Sequence, residues 1–120
     1  MTLQECYAAM NGDYEDAINR LRSERLVQKF VLKFLNDGSY DLLCRSLEEQ
    51  NYEEAFRAAH TIKGVCQNLS LRKLGTSSSN LTEALRSGWS EEARGLVEQV
   101  HEDYRQTTGA IRTYQAGLDS

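Results

Sequence analysis

Lys63 and Gly64 stand three and four residues after His60, a set that could support nucleophilic chemistry at the imidazole. An unperturbed imidazole, with a pKa of about 6.5, is largely neutral near pH 7 and offers a nucleophilic nitrogen without a dedicated base. Residues three apart on a helix are neighbours, so Lys63 stands beside His60 if this segment is helical. A cation there favours the neutral imidazole and can stabilise an anionic group placed on the ring. Gly64, one turn beyond His60, costs about 1 kcal/mol relative to alanine in an exposed helix interior. Its missing side chain bares the backbone beside the ring, where another molecule's atoms could approach closely. Taken singly, each residue has a plain structural reading: a solvated lysine, a tolerated glycine. Together they point to chemistry at the imidazole.

The surrounding residues sharpen that reading. At about 100° per residue, Ala55, Ala58, Ile62, Val65, Cys66 and Leu69 fall on one side of the helix and should face a core. His60 points roughly opposite, among Glu53, Phe56, Arg57, Lys63, Gly64 and Gln67. Phe56 has two readings, a flank residue tucked under a neighbouring helix or part of an exposed docking patch. Gln67 could offer its amide to a phosphate or a partner, and solvation alone also explains it. The other histidine, His101, lacks the i+3 lysine and i+4 glycine and reads as a surface residue.

Apolar residues recur at helical spacing through most of the chain, divided by clear start and stop signals. Thr2-Leu3-Gln4-Glu5 reads as a capping box, opening a short helix that ends near Asn11-Gly12. A second short helix, over about Asp13–Arg22, should bury Tyr14, Ala17, Ile18 and Leu21. Ser23 caps a segment whose broad apolar face is Leu26, Val27, Phe30, Val31 and Phe34. Asn36-Asp37-Gly38-Ser39 interrupts it before Leu42, Leu43 and Leu47, a break short enough to leave either one kinked helix or two. Asn51, with Glu54 three residues on, starts the His60 helix, expected over about 52–69. Ser70 is expected to cap the next helix, with a seam of Leu71, Leu74, Ser78, Leu81 and Leu85. Ser87-Gly88-Trp89-Ser90 stops it. Ser90 opens a long last helix whose face is Ala93, Leu96, Val97, Val100, Tyr104, Thr107, Ile111 and Tyr114.

These segments predict an all-α fold and a single domain over 1–120. Short N-terminal helices, over about 2–22, pack against an antiparallel up-down-up-down four-helix bundle over about 23–116. Composition agrees. The chain has no proline in 120 residues, where average usage of about 5% would supply roughly six. Its eight glycines are scattered, so the punctuation of a β-rich fold is missing.

The same inventory excludes several functions. Fourteen Lys and Arg against 18 Asp and Glu give a net charge of -4, without the basic excess of a nucleic-acid binder. No apolar run approaches the roughly 20 residues of a membrane span, and the N-terminus lacks a signal peptide's basic and apolar regions. Cys6, Cys44 and Cys66 are odd in number and widely spaced, which fits buried thiols in a reducing cytoplasm rather than disulfides or a zinc site. A bundle metalloenzyme would need paired Glu-x-x-His motifs. Glu98-Gln99-Val100-His101 is one, but Arg57 stands three before His60. No G-x-x-x-x-G-K-[ST] or G-x-G-x-x-G phosphate loop occurs, so no autokinase activity is expected.

Ala59-His60-Thr61-Ile62-Lys63-Gly64, with Asn68-Leu69 following, closely resembles the A-H-x-L-K-G signature of histidine-containing phosphotransfer (HPt) domains of bacterial multistep phosphorelays. The likeness extends over roughly residues 12–115 through Phe34-Leu35, Leu47 and the Asn51 start, then Leu74, Leu81 and Leu85. It departs at Val65 and Cys66, where small residues are usual, and at Ser70, where glycine is usual.

The resemblance implies that His60 Nε2 takes a phosphoryl group from a receiver-domain aspartate and passes it to another. Lys63 would lie beside the phosphate, and Gly64 would leave room for the receiver. Phe56, Arg57 and Glu53 would form the surrounding partner surface, with Gln67 a further contact to phosphate or partner. The chain would need no cofactor or metal of its own, Mg2+ being expected on the receiver. Partners would be receiver domains of hybrid histidine kinases and response regulators, met in the cytoplasm by a monomer. Met1 and the capped first helix point to a free-standing chain. A noncatalytic module that binds a receiver or kinase is the rival reading.

Overall fold

The computed structural model describes residues 1–119. Among them the only regular elements are seven helices: α1 (Leu3–Ala9), α2 (Tyr14–Leu21), α3 (Glu24–Phe34), α4 (Ser39–Glu48), α5 (Tyr52–Leu69), α6 (Arg72–Leu85) and α7 (Glu91–Leu118). The fold is all-helical. α4, α5 and α6 each pack on the next helix in sequence, α1 lies along α7, and α2 and α3 pair with each other and touch α5.

Local chemistry explains most of the boundaries. Thr2 and Glu5 form the reciprocal capping box, with bonds of 3.1 and 2.7 Å. The side chains of Asp13, Ser23 and Asn51 each accept an amide hydrogen bond three residues on. Ser90 is the N-cap of α7, although its side chain accepts no bond.

α3 and α4 are two helices, not one kinked rod. The amides of Leu35, Asn36 and Asp37 tighten onto carbonyls three residues back, at 3.0–3.2 Å. Asp37 Oδ1 then accepts the Ser39 amide at 2.8 Å and restarts the chain. The apolar face of α3 is also narrower than its sequence suggests. Val27, Val31 and Phe34 are buried, but Leu26 and Phe30 remain 39% and 37% exposed because no helix covers that flank. The Lys29 and Lys33 ammonium groups each sit 6.0 Å from the Phe30 ring instead. On α2 only Ala17 is fully buried, with Tyr14, Ile18 and Leu21 packed partly against the core.

Ser70 does not cap α6. It ends α5 in the left-handed conformation, φ 55°, and Leu71 is the N-cap of α6 without a side-chain bond. The reason lies in α1 and α2, which converge on this corner. Tyr7 Oη donates to the Leu69 carbonyl at 2.8 Å, and the Asp13 amide to the Ser70 carbonyl at 2.8 Å. The Ser70 hydroxyl donates to Asp16 Oδ2, so it is already engaged. Gly12 admits this convergence, since a Cβ there would lie 2.8 Å from the Tyr7 ring and 3.1 Å from the Ser70 carbonyl oxygen.

On α5 the buried stripe is Ala55, Ala58, Ala59, Ile62, Cys66 and Leu69, with Val65 only partly covered. Ala59 replaces Val65 in the stripe because α6 approaches on that side. The α6 seam of Leu71, Leu74, Ser78, Leu81 and Leu85 is buried throughout.

A left-handed non-glycine residue costs of order 1 kcal/mol or more. Ser70→Ala keeps that strain and removes the bond to Asp16, so it should destabilise the fold by about 1–2 kcal/mol. Ser70→Gly relieves the strain and should be less destabilising than alanine by about 1 kcal/mol. Urea midpoints of the two variants check the order.

Candidate functional site

The site grows from the start of α5. Asn51 Oδ1 accepts the Glu54 amide at 3.2 Å, and Glu53 and Glu54 add negative charge at the positive end of the helix dipole. The buried stripe of α5 then faces α4 and α6, which leaves His60, Gly64 and Gln67 exposed on the far side. Phe56 and Lys63 are partly buried.

His60 presents its ring to solvent, and neither ring nitrogen has a hydrogen-bond partner among the described residues. The Phe56 ring lies nearly parallel to it, centroids 6.2 Å apart and planes at 14°. An ideal Cβ at Gly64 would meet no atom within 4 Å, so nothing inside the molecule demands a glycine there. The open volume beside the imidazole faces outward.

The three cations around His60 differ in availability. Arg57 bonds Glu53 at 2.7 Å and Glu54 at 3.4 Å on its own helix. Arg86, from the end of α6, bonds Glu83 at 2.8 and 3.2 Å. Lys63 has no carboxylate partner among the described residues. Of the cations near the ring it is the one free to meet an incoming anion.

Glu83 and Arg86 are the residues that sequence reasoning did not place here. The Arg86 guanidinium stands 5.3 Å from the Phe56 ring centroid, so the aromatic bridges the arginine and His60. The Arg86 bond holds the Glu83 carboxyl below the usual carboxylate range, and Lys63 and His60 are close enough to add to that effect. The one signal available in sequence was an i, i+3 acid–arginine pair flanking the buried seam of α6.

Of the other expected residues, Glu53 and Arg57 are exposed and paired with one another. Gln67 lines a polar groove with Asp16, Arg20, Arg72, Ser79 and Asn80. His101 is not a simple surface residue. It is partly buried, its Nδ1 is 2.5 Å from the Tyr40 hydroxyl, and the two rings meet edge to face at 5.5 Å. Tyr40 of α4 covers it while stacking on Tyr104, centroids 3.7 Å apart.

All three thiols are free. Burial pushes Cys6 up to about 11 and Cys66 up to about 12, which makes both poor nucleophiles near neutral pH. Among the described residues no three His, Cys, Asp or Glu side chains cluster to hold a metal ion. No described helix is long and apolar enough to cross a membrane.

With this geometry in place, a family model for the Hpt domain matches residues 3–110. The chain belongs to the Hpt domain family. Hpt domains carry out phosphotransfer in phosphorelay signalling, working with receiver domains. No curated protein and no solved structure shows significant similarity to the chain.

The open space at Gly64 makes a prediction that separates folding from function. Gly64→Ala fits without moving any atom and should stabilise the Hpt domain by about 0.5–1 kcal/mol. A rise of a few degrees in the thermal midpoint is the expected measurement.

Proposed function

We propose that the chain is a phosphoryl carrier in which His60 accepts a phosphoryl group from a receiver-domain aspartyl phosphate and passes it to another receiver aspartate. The observation that carries this reading is the exposed His60 ring with both nitrogens unengaged, beside an unpaired Lys63 and the open space at Gly64. The helices from α3 to α7 are read as an antiparallel up-down-up-down four-helix bundle, α3 and α4 together forming its first arm and α1 and α2 packing against it, a frame that holds the ring rigidly. Phosphoryl transfer needs positioning and charge neutralisation more than covalent help from the protein.

In the step itself the Nε2 lone pair attacks phosphorus as the aspartyl O–P bond breaks, and the electron pair leaves on the carboxylate. Nδ1 keeps its hydrogen, so no proton has to be removed for the N–P bond to form. Onward transfer reverses these changes at a second aspartate. Lys63 neutralises part of the phosphoryl charge throughout. The divalent ion, Mg2+, is assigned to the receiver. Phe56, Arg57 and Glu53 form the surface the receiver covers, and Gln67 extends it toward the C-terminal end of α5.

Partners are the receiver domains of hybrid histidine kinases and response regulators, met in the cytoplasm by a monomeric carrier. The chain has no phosphate-binding loop for ATP, and it is proposed to lack kinase activity of its own. An exposed histidine on a helix suits a protein-borne phosphoryl group better than a small molecule, which concave pockets bind.

Mixing the protein with a receiver carrying labelled aspartyl phosphate tests the reading. Label should move to this chain, be acid-labile and alkali-stable, and be absent in His60→Gln. Transfer that persists in His60→Gln overturns the assignment. Gly64→Leu should slow transfer at least tenfold, about 1.4 kcal/mol in the barrier, with helicity unchanged or improved. Lys63→Ala should shorten the phosphohistidine lifetime or lower its yield by about five- to tenfold, the scale of one cation near a dianion in water.

A further inference from the structure

Glu83 is an acid placed where the proposed chemistry would favour a base or an amide. It sits on α6 facing the His60 side of α5, exposed, with its carboxylate across Arg86 at 2.8 and 3.2 Å. Arg86 in turn lies over Phe56, which stacks on His60. The Glu83 carboxylate is within electrostatic reach of both Lys63 and His60. Two consequences follow for any anion on the ring. The Arg86 guanidinium, on the far side of Phe56, is already paired with an acid, and that acid's charge stands on the same face as the ring.

We propose that Glu83 is a positioning residue that tunes the energy of phosphorylated His60, withholding Arg86 from the phosphoryl group and opposing its charge so that onward transfer is favoured. The inference rests on His60 being the phosphorylated residue. A phosphoryl group carries close to two negative charges near pH 7. Its repulsion by Glu83 destabilises the N–P form relative to the aspartyl O–P form on the receiver. When the N–P bond breaks, its electron pair returns to Nε2 and the phosphoryl group joins the receiver carboxylate, leaving the Glu83–Arg86 pair undisturbed. Lys63 is then the single cation the carrier commits to the group, enough to accept it and too little to retain it.

The test is the equilibrium of labelled phosphoryl group between the full chain and a receiver, measured from both directions. Glu83→Gln frees Arg86 and removes the opposing charge. It should shift the carrier-to-receiver ratio toward the carrier by about three- to tenfold at low ionic strength. The shift should shrink several-fold in 0.5 M salt, because both groups are exposed and screened, with a Debye length of about 10 Å at 0.1 M and shorter above it. Glu83→Asp should retain the wild-type ratio to within about twofold, and Arg86→Gln, which leaves the acid unopposed, should shift it the other way.

A merely structural role for Glu83 would change helicity or rates without a salt-dependent change of equilibrium. Wild-type transfer with an unchanged or oppositely shifted ratio in Glu83→Gln overturns this proposal alone. Absence of any transfer in the wild type overturns it together with the reading of His60.

Discussion

The close packing of α5 on α6 sets where every side chain around His60 can lie. α5 presents Ala55, Ala58, Ala59 and Cys66 to its neighbours, and α6 answers with Gly75, Ser78 and Thr82 among its leucines. At Gly75 a Cβ would lie 3.2 Å from that of Cys66, closer than most side-chain contacts. Small residues on both sides let the helices approach, and that approach locks their antiparallel register. With Gly75 against Cys66, the other end of α6 must run past Phe56, where Arg86 is found. The charge environment of His60 is therefore a consequence of where two small residues meet, less than two helical turns away along α5.

The second requirement is that α5 stay still while one of its faces is bare. Both ends are fastened. At the N-terminal end Asn51 caps the helix, and Tyr52 stacks on Trp89 from the α6–α7 connection, centroids 5.3 Å apart. At the C-terminal end α1 and α2 satisfy the last carbonyls of α5 through Tyr7 and Asp13. Unsatisfied carbonyls at a helix end fray or recruit water, and protein donors hold them in place. α1 and α2 thus tie down the C-terminal end of α5 without approaching His60 themselves. Rigid presentation matters for group transfer, because the reacting atoms must already be aligned when the partner arrives.

Charge on the exposed face is divided with little redundancy. Arg57 and Arg86 are occupied by acids from their own helices, three or four residues away. Exposed pairs of this kind contribute little to stability, because water and salt screen them. Their larger effect here is to leave Lys63 as the available cation beside the ring. Under the proposed role, a surface so arranged would neutralise an arriving phosphoryl group only in part, which suits a carrier that must also release it.

Much of this was legible in the sequence because it is governed by residues near one another along the chain. Capping at Thr2, Ser23 and Asn51, the leucine seam of α6 and the outward direction of His60 follow from hydrogen bonds and helical periodicity over a few residues. The expectations that failed were those that needed a neighbour. Leu26 and Phe30 are apolar and periodic but uncovered. Ser70 reads as an N-cap until Asp16 claims its hydroxyl, and His101 reads as exposed until Tyr40 covers it. Periodicity and local hydrogen bonding suffice for a helical chain with a histidine, a lysine and a glycine on one open face. That Glu83 and Arg86 share that face follows from helix packing alone. Which turn of α6 meets which turn of α5 is set by side-chain volume at their contact, and no local pattern encodes it.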